Sequence, residues 1–143
     1  MAEIHALNED MQSDLREYEA DGLALLQLSS EAKPLGIVTR INEHARYLRA
    51  EGATLDQDDV LALGILLGWQ YVRAHGWHWG QVFWDPDTSA IGVLNRNNAW
   101  FINPMWWMND VLSAARPPNF LLNFNMVAGN LPPGQANEAM GFH

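Results

Sequence analysis

The chain has no cysteine among its 143 residues. That excludes thiol catalysis, thiolate metal ligation and a disulfide framework, and it suits a reducing compartment. Basic residues are scarce, 8 Lys and Arg against 17 Asp and Glu. So few cations cannot form a nucleic-acid surface, and a net charge of −9 disfavours anionic membranes as well as nucleic acid. No apolar run approaches the ~20 residues that cross a bilayer. The opening MAEIHALNEDMQSDL carries no basic segment followed by an apolar stretch, so the expected location is the cytoplasm. Also missing are a GxSxG elbow, a GxGxxG or P-loop cradle and an HExxH ligand pair. No catalytic set, metal framework or cofactor cradle is therefore expected.

What is present centres on one stretch, Thr54 to Gly76. Between Val60 and Val72 the only strongly polar side chain is Gln70, which predicts a helix buried on nearly all sides. Thr54 with Gln57 three residues on reads as a capping box. Asp56, Asp58 and Asp59 suit the positive end of the helix dipole, and Arg73, His75 and Gly76 supply a cationic last turn and a left-handed stop. Gly64 and Gly68 fall on one face and leave a flat strip that another backbone can approach.

Two helices are expected ahead of it. Glu9 to Leu28 spaces Met11, Leu15, Tyr18, Gly22 and Leu25 helically among acids, with Asn8 as cap and Gly22 as a weak or bent point. Pro34 opens the second, whose stripe of Val38, Ile41, Ala45 and Leu48 is buried while Arg40, Glu43, Arg46 and Arg49 face water, up to Gly52. After Gly76 the period changes to two: Trp77, Trp79, Gln81 and Phe83 share one face, and His78, Gly80, Val82 and Trp84 the other. Turns at 85–88 and 97–98 make a three-stranded antiparallel meander, and something must cover its second apolar face. Asn103-Pro104 then caps and starts a helix running to Ala115, in which Trp106 and Trp107 cannot both point inward. A last short helix runs from Phe120 to Ala128, with Asn119 as its cap and Gly129 closing it. The expected fold is α+β: three N-terminal helices, a three-stranded antiparallel meander, then two shorter helices. It forms one domain over 1–130, and residues 131–143 are a mobile or loosely docked tail.

Charge and aromatics are distributed in opposite ways. Residues 1–60 hold 13 acids and 5 bases, whereas all seven tryptophans lie between Trp69 and Trp107. An acidic face serves solubility as readily as it speeds encounter with a basic partner. Tryptophans left outside a core are candidate interface anchors. The residues assigned to partner binding are therefore Asp56, Asp58 and Asp59 with Trp84, Trp106 and Trp107. The alternative is a small-molecule or metal-dependent enzyme pocket between sheet and helices using His75, His78 or Asp85. Against it, His75 suits a helix-end cation, His78 a strand side chain and His44 a packed position, and the dipole and the turn account for the paired carboxylates. A homo-oligomer burying the free face of the sheet is a third reading.

The run ALGILLGWQYVRAHGWHWGQVFW, followed by a short meander ending in NP and a helix, resembles small bacterial α+β domains of the immunity-protein type, over about residues 55–112. That resemblance implies a cytoplasmic, non-enzymatic antitoxin that binds one cognate toxin of a competing bacterium, without cofactor or metal. The acidic half of the chain adds that the toxin presents a basic surface.

Overall fold

The structure, a computed structural model, describes residues 2–52, 56–129 and 131–143. In chain order the elements are β1 (Glu3–His5), α1 (Glu9–Leu25), α2 (Pro34–Glu51), α3 (Gln57–His75), β2 (His78–Asp85), β3 (Thr88–Leu94), β4 (Trp100–Ile102), α4 (Pro104–Leu112), α5 (Phe120–Gly129) and β5 (Met140–Gly141). The fold is α+β as expected, but the chain opens on a strand rather than on three helices, and the sheet has five strands rather than three.

Helix α3 is the axis of the molecule. Its residues Ala62 to Gly68 are all buried, as are Val60, Gln70 and Tyr71. Its N-cap is Asp56, whose carboxylate accepts from the Asp58 amide at 3.1 Å; the expected capping residue Thr54 lies outside the described residues. Gly76, at φ 71°, ends the helix in the left-handed conformation that favours glycine. The glycine strip is occupied as its flatness implies. A Cβ on Gly64 would lie 2.8 Å from the Met105 Cα and the Pro104 carbonyl, and one on Gly68 would lie 2.5 Å from the Trp79 ring. Gly22 does the same for α1. A Cβ there would lie 2.8 Å from the Ala62 carbonyl, so this glycine is a packing contact and not the weak point expected.

Asn8 caps α1 by accepting from the Met11 amide at 2.8 Å, and Pro34 and Gly52 bound α2 as read from the sequence. Arg49 departs from its expected exposure: its guanidinium reaches the Val111 and Arg116 carbonyls and satisfies the C-terminal end of α4. That helix stops at Leu112, short of Ala115, because the chain turns left-handed at Ala114. Its start is as expected, with Asn103 accepting from the Trp106 amide at 3.0 Å and Pro104 in the first turn.

The strands lie in the order β1-β2-β3-β4-β5. The meander β2-β3-β4 is antiparallel, β1 adds antiparallel to β2, and β5 adds parallel to β4. Trp79, Val93 and Ile102 face the helices, and Trp79 meets Gly68 there. The opposite face is covered by the chain itself. Ala2 donates its amide to the Asn137 carbonyl at 3.0 Å, although these residues flank opposite edges of the sheet. The sheet therefore curls until its edges meet, and its concave side encloses Val82, Leu94 and Phe101 with Ala2, Ala90 and Ala139. Gly80 and Gly92, paired across β2 and β3, give that interior its room: a Cβ there would meet Leu94 Cδ1 at 2.9 Å or the Phe101 ring at 2.6 Å.

The C-terminal segment is thus a structural part of the sheet and not a loosely attached tail. Asn137 and Ala139 donate to the carbonyls of Asn97 and Asn98, Phe142 donates to Phe101, and Trp100 Nε1 donates to the Pro132 carbonyl at 2.8 Å. None of the helices among the described residues is long and apolar enough to cross a membrane.

Candidate functional site

The six residues assigned to partner binding fall in three places. Asp56, Asp58 and Asp59 occupy the N-terminal end of α3, the first two exposed and Asp59 half-buried. Asp56 is committed to capping. Trp106 stands in the first turn of α4, which meets α3 at Gly64, eight residues or roughly 12 Å along the axis from Asp56. Its side chain is 62% exposed, and its indole makes no hydrogen bond or ring contact among the described residues. Pro104, Trp107, Met108 and Val111 on the same helix are buried.

Trp107 is therefore core. It is 2% exposed and packs edge-on against Phe120 at 4.7 Å, which removes it from the surface anchors. Adjacent residues on a helix differ by about 100°, so inward Trp107 places Trp106 at the rim. Trp84 is at the far end of β2, where the pairing slips between Phe83 and Asp85 and leaves it opposite no residue of β3. Such a bulge re-aims a side chain. The indole lies edge-on over Phe101 at 5.3 Å and donates Nε1 to the Ala139 carbonyl at 3.2 Å. It closes the mouth of the concave core and is 37% exposed. The structure thus brings the acidic trio and Trp106 onto neighbouring helices, buries Trp107 on the inner side of α4 and leaves Trp84 at the far end of β2.

The residues of the alternative pocket do not converge. His75 is half-buried at the end of α3 against Phe124, ring centroids 4.4 Å apart, and near Tyr71. Burial lowers its pKa, so it is neutral at pH 7 and does not act as the cation of that helix end. Arg73 is the charged group there, reaching back to pair with the buried Glu19 and lying over the Trp69 ring. His78 is exposed on β2. Asp85 is seven residues further along that strand, roughly 23 Å away. His44 is also held below its ordinary pKa, by burial first and Arg40 second. Among the described residues no group of three or more His, Asp or Glu could hold a metal ion.

A cavity of about 180 Å³ lies where α4, α5 and the final residues meet, a place not singled out from the sequence. Trp107, Leu122 and Met126 give it apolar sides, and Arg116, Asn119 and His143 give it polar ones. Its far wall is fixed by a relay of hydrogen bonds. The Tyr71 hydroxyl, from α3, donates to Asn123 Oδ1 at 2.5 Å, and Asn123 Nδ2 donates to the Phe142 carbonyl at 2.9 Å. Burial raises the Tyr71 pKa strongly, so the hydroxyl remains a donor. His143 rests on Trp107 with ring centroids 5.5 Å apart; burial first, then Arg116, push its pKa down to about 4, against an opposing influence of Asp110. Nothing in the local sequence marks this cavity, because its walls come from α4, from the stretch 116–126 and from His143, which meet only when the end of the chain docks. Compared with known proteins, the chain matches no family model, no curated protein and no solved structure.

Proposed function

We propose that this protein acts by binding and blocking another protein, a toxin of a competing bacterium with a basic surface, in the cytoplasm of the cell it protects. The observation that carries the reading is Trp106: a large indole, 62% exposed, held on a helix whose neighbouring side chains are fixed in the core. An aromatic on a rigid support gives up little conformational freedom on binding and contributes a large contact area, which is why tryptophan is enriched at the centres of interfaces. The acidic residues support the same reading. Asp56 and Asp58 are exposed near one end of α3, and Glu9, Asp10, Asp14, Glu17 and Asp21 are exposed along α1, so the helical side of the molecule carries the charge that would steer a cationic partner. Alongside them, the resemblance of residues 55–112 to immunity-type domains narrows the partner class to a toxin.

The test is affinity capture from the native organism with the wild-type chain and with Trp106→Ala as parallel baits. One dominant partner, held by the wild type, released by salt, toxic when expressed alone and lost with the folded variant, supports the proposal. A partner set that is the same for both baits removes Trp106 as the anchor, and no partner at all overturns the binding role. Because the exposed Trp106 indole makes no hydrogen bond or ring contact among the described residues, its truncation is expected to leave the far-ultraviolet circular dichroism spectrum unchanged, apart from local aromatic signals.

A further inference from the structure

The cavity between α4, α5 and the last residues has a chemistry that the partner reading leaves unused. Its base is the Trp107 indole. Leu122 and Met126, one turn apart on α5, form one side and are 59% and 54% exposed, so their outer surfaces have no internal partner. Two nitrogen-bearing side chains meet this apolar ground. Arg116 has no carboxylate within ion-pair distance among the described residues. His143 has its Nδ1 buried and without a hydrogen-bond partner among them. A buried polar atom left unpaired is uncommon in a folded protein and asks for an explanation. The first turn of α5 adds the positive end of a ten-residue helix to the same space.

We propose that this cavity is a binding site for a small monocarboxylate with an apolar body of about one ring. The carboxylate lies against Arg116 and His143, and the apolar body lies on Trp107 between Leu122 and Met126. The size follows from the volume, about 180 Å³, close to the ~150 Å³ of an apolar cavity that accepts benzene. The charge follows from the donors. One guanidinium matches one carboxylate in a planar fork. A dianion such as phosphate is disfavoured, because Asp110 is near enough to influence His143 and no second permanent cation lines the space. At pH 7 the imidazole is neutral, so it offers one N–H as a hydrogen-bond donor and does not repel Arg116. An anion beside it favours the protonated form and raises its pKa.

Benzoate is the probe, with benzamide as the neutral molecule of the same shape, each titrated into the full chain. The Trp107 indole and the His143 imidazole are followed by proton–nitrogen NMR. Benzoate is expected to shift both signals and to raise the His143 pKa, with benzamide weaker by tenfold or more, the loss that goes with a charge-assisted hydrogen bond. Arg116→Gln is expected to weaken benzoate about tenfold and to leave benzamide unchanged. This substitution keeps the main-chain carbonyl to which Arg49 donates. No shift up to roughly 10 mM benzoate, a generous range for a ligand of this size, overturns the proposal, and so does benzamide binding as tightly as benzoate. The comparison of the two probes is made on the wild-type protein, so a variant that folds poorly leaves it intact.

Discussion

Gly64 and Gly36 both sit within helices and have opposite tasks. Around Gly64 the backbone of Pro104 and Met105 fills the place of a side chain, whereas a Cβ on Gly36 would meet nothing within 4 Å. Gly64→Ala is therefore expected to destabilise the protein by about 1–3 kcal/mol, since backbone atoms cannot swing aside as a side chain does. Gly36→Ala is expected to stabilise it by about 0.5–1 kcal/mol through helix propensity and a less flexible unfolded chain. Urea denaturation of the two variants beside the wild type checks both signs, and destabilisation of equal size in both would refute the packing argument. Single residues were partly legible beforehand. The four-residue spacing of Gly64 and Gly68 on an apolar helix announced a close approach, and the adjacency of Trp106 and Trp107 announced that one must be outside. Which one was not legible, because Phe120, the residue that draws Trp107 inward, is thirteen positions away and reaches it only through tertiary packing. Trp84 is partly exposed, and its hydrogen bond to the Ala139 carbonyl was not legible for a related reason: no local pattern encodes that contact.

Elements with long periods were read correctly and short ones were missed. α1, α2 and α3 each repeat their apolar spacing over several turns, and Asn103-Pro104 marks a helix start in two residues. β1 and β5 have three and two residues, too few for alternation to stand out, and both exist only because a neighbouring strand offers its edge. The end of the chain was expected to be mobile or loosely docked because its apolar residues are few, yet it is attached through main-chain hydrogen bonds and through side chains that include Trp84, Trp100 and Asn123. Asn123→Ala should show how much that residue contributes. It removes the acceptor for buried Tyr71 and the donor to the Phe142 carbonyl together. The amide of Phe142, which donates to Phe101, is then expected to exchange with solvent at least tenfold faster, a loss of about 1–2 kcal/mol of local protection. Amides in the middle of α3 are expected to keep theirs. Uniform acceleration across both would mean that the asparagine supports the whole core and not the attachment of the last strand.

The molecule as a whole divides its charge by architecture. Residues 1–60, with net −8, make up β1, α1, α2 and the start of α3, and the sheet meander and the C-terminal helices carry the remaining −1. Against this background the histidines give stability a pH dependence of defined sign. His44, His75 and His143 all have lowered pKa values in the folded protein, with burial the leading cause in each. For His143 the window runs from 6.5, the unfolded value, down to about 4. Above it both states are neutral; within it the unfolded chain takes up a proton that the folded chain refuses, so stability falls as the pH falls. The protonation of carboxylates over the same range adds its own change, so the informative quantity is the difference between the wild type and His143→Gln. The wild type should lose more stability than the variant between pH 6.5 and 4, and parallel curves would show that the imidazole is no better shielded folded than unfolded.

The hydrogen bond from Ala2 to Asn137 joins two points that almost the entire chain separates. Its consequence belongs to the order of assembly. Helices α1 to α3 contact one another within the first 75 residues and the meander closes through adjacent turns, so these parts can begin to form while later residues, including the α4 that packs on Gly64, are still being added. The curled sheet cannot shut until the final segment is present, and bringing its ends together means closing the longest loop the chain contains. On a ribosome, the concave side with Val82, Leu94 and Phe101 would stay open until the segment from Asn137 to Phe142 had emerged, a gap through which chaperones or aggregation would act first.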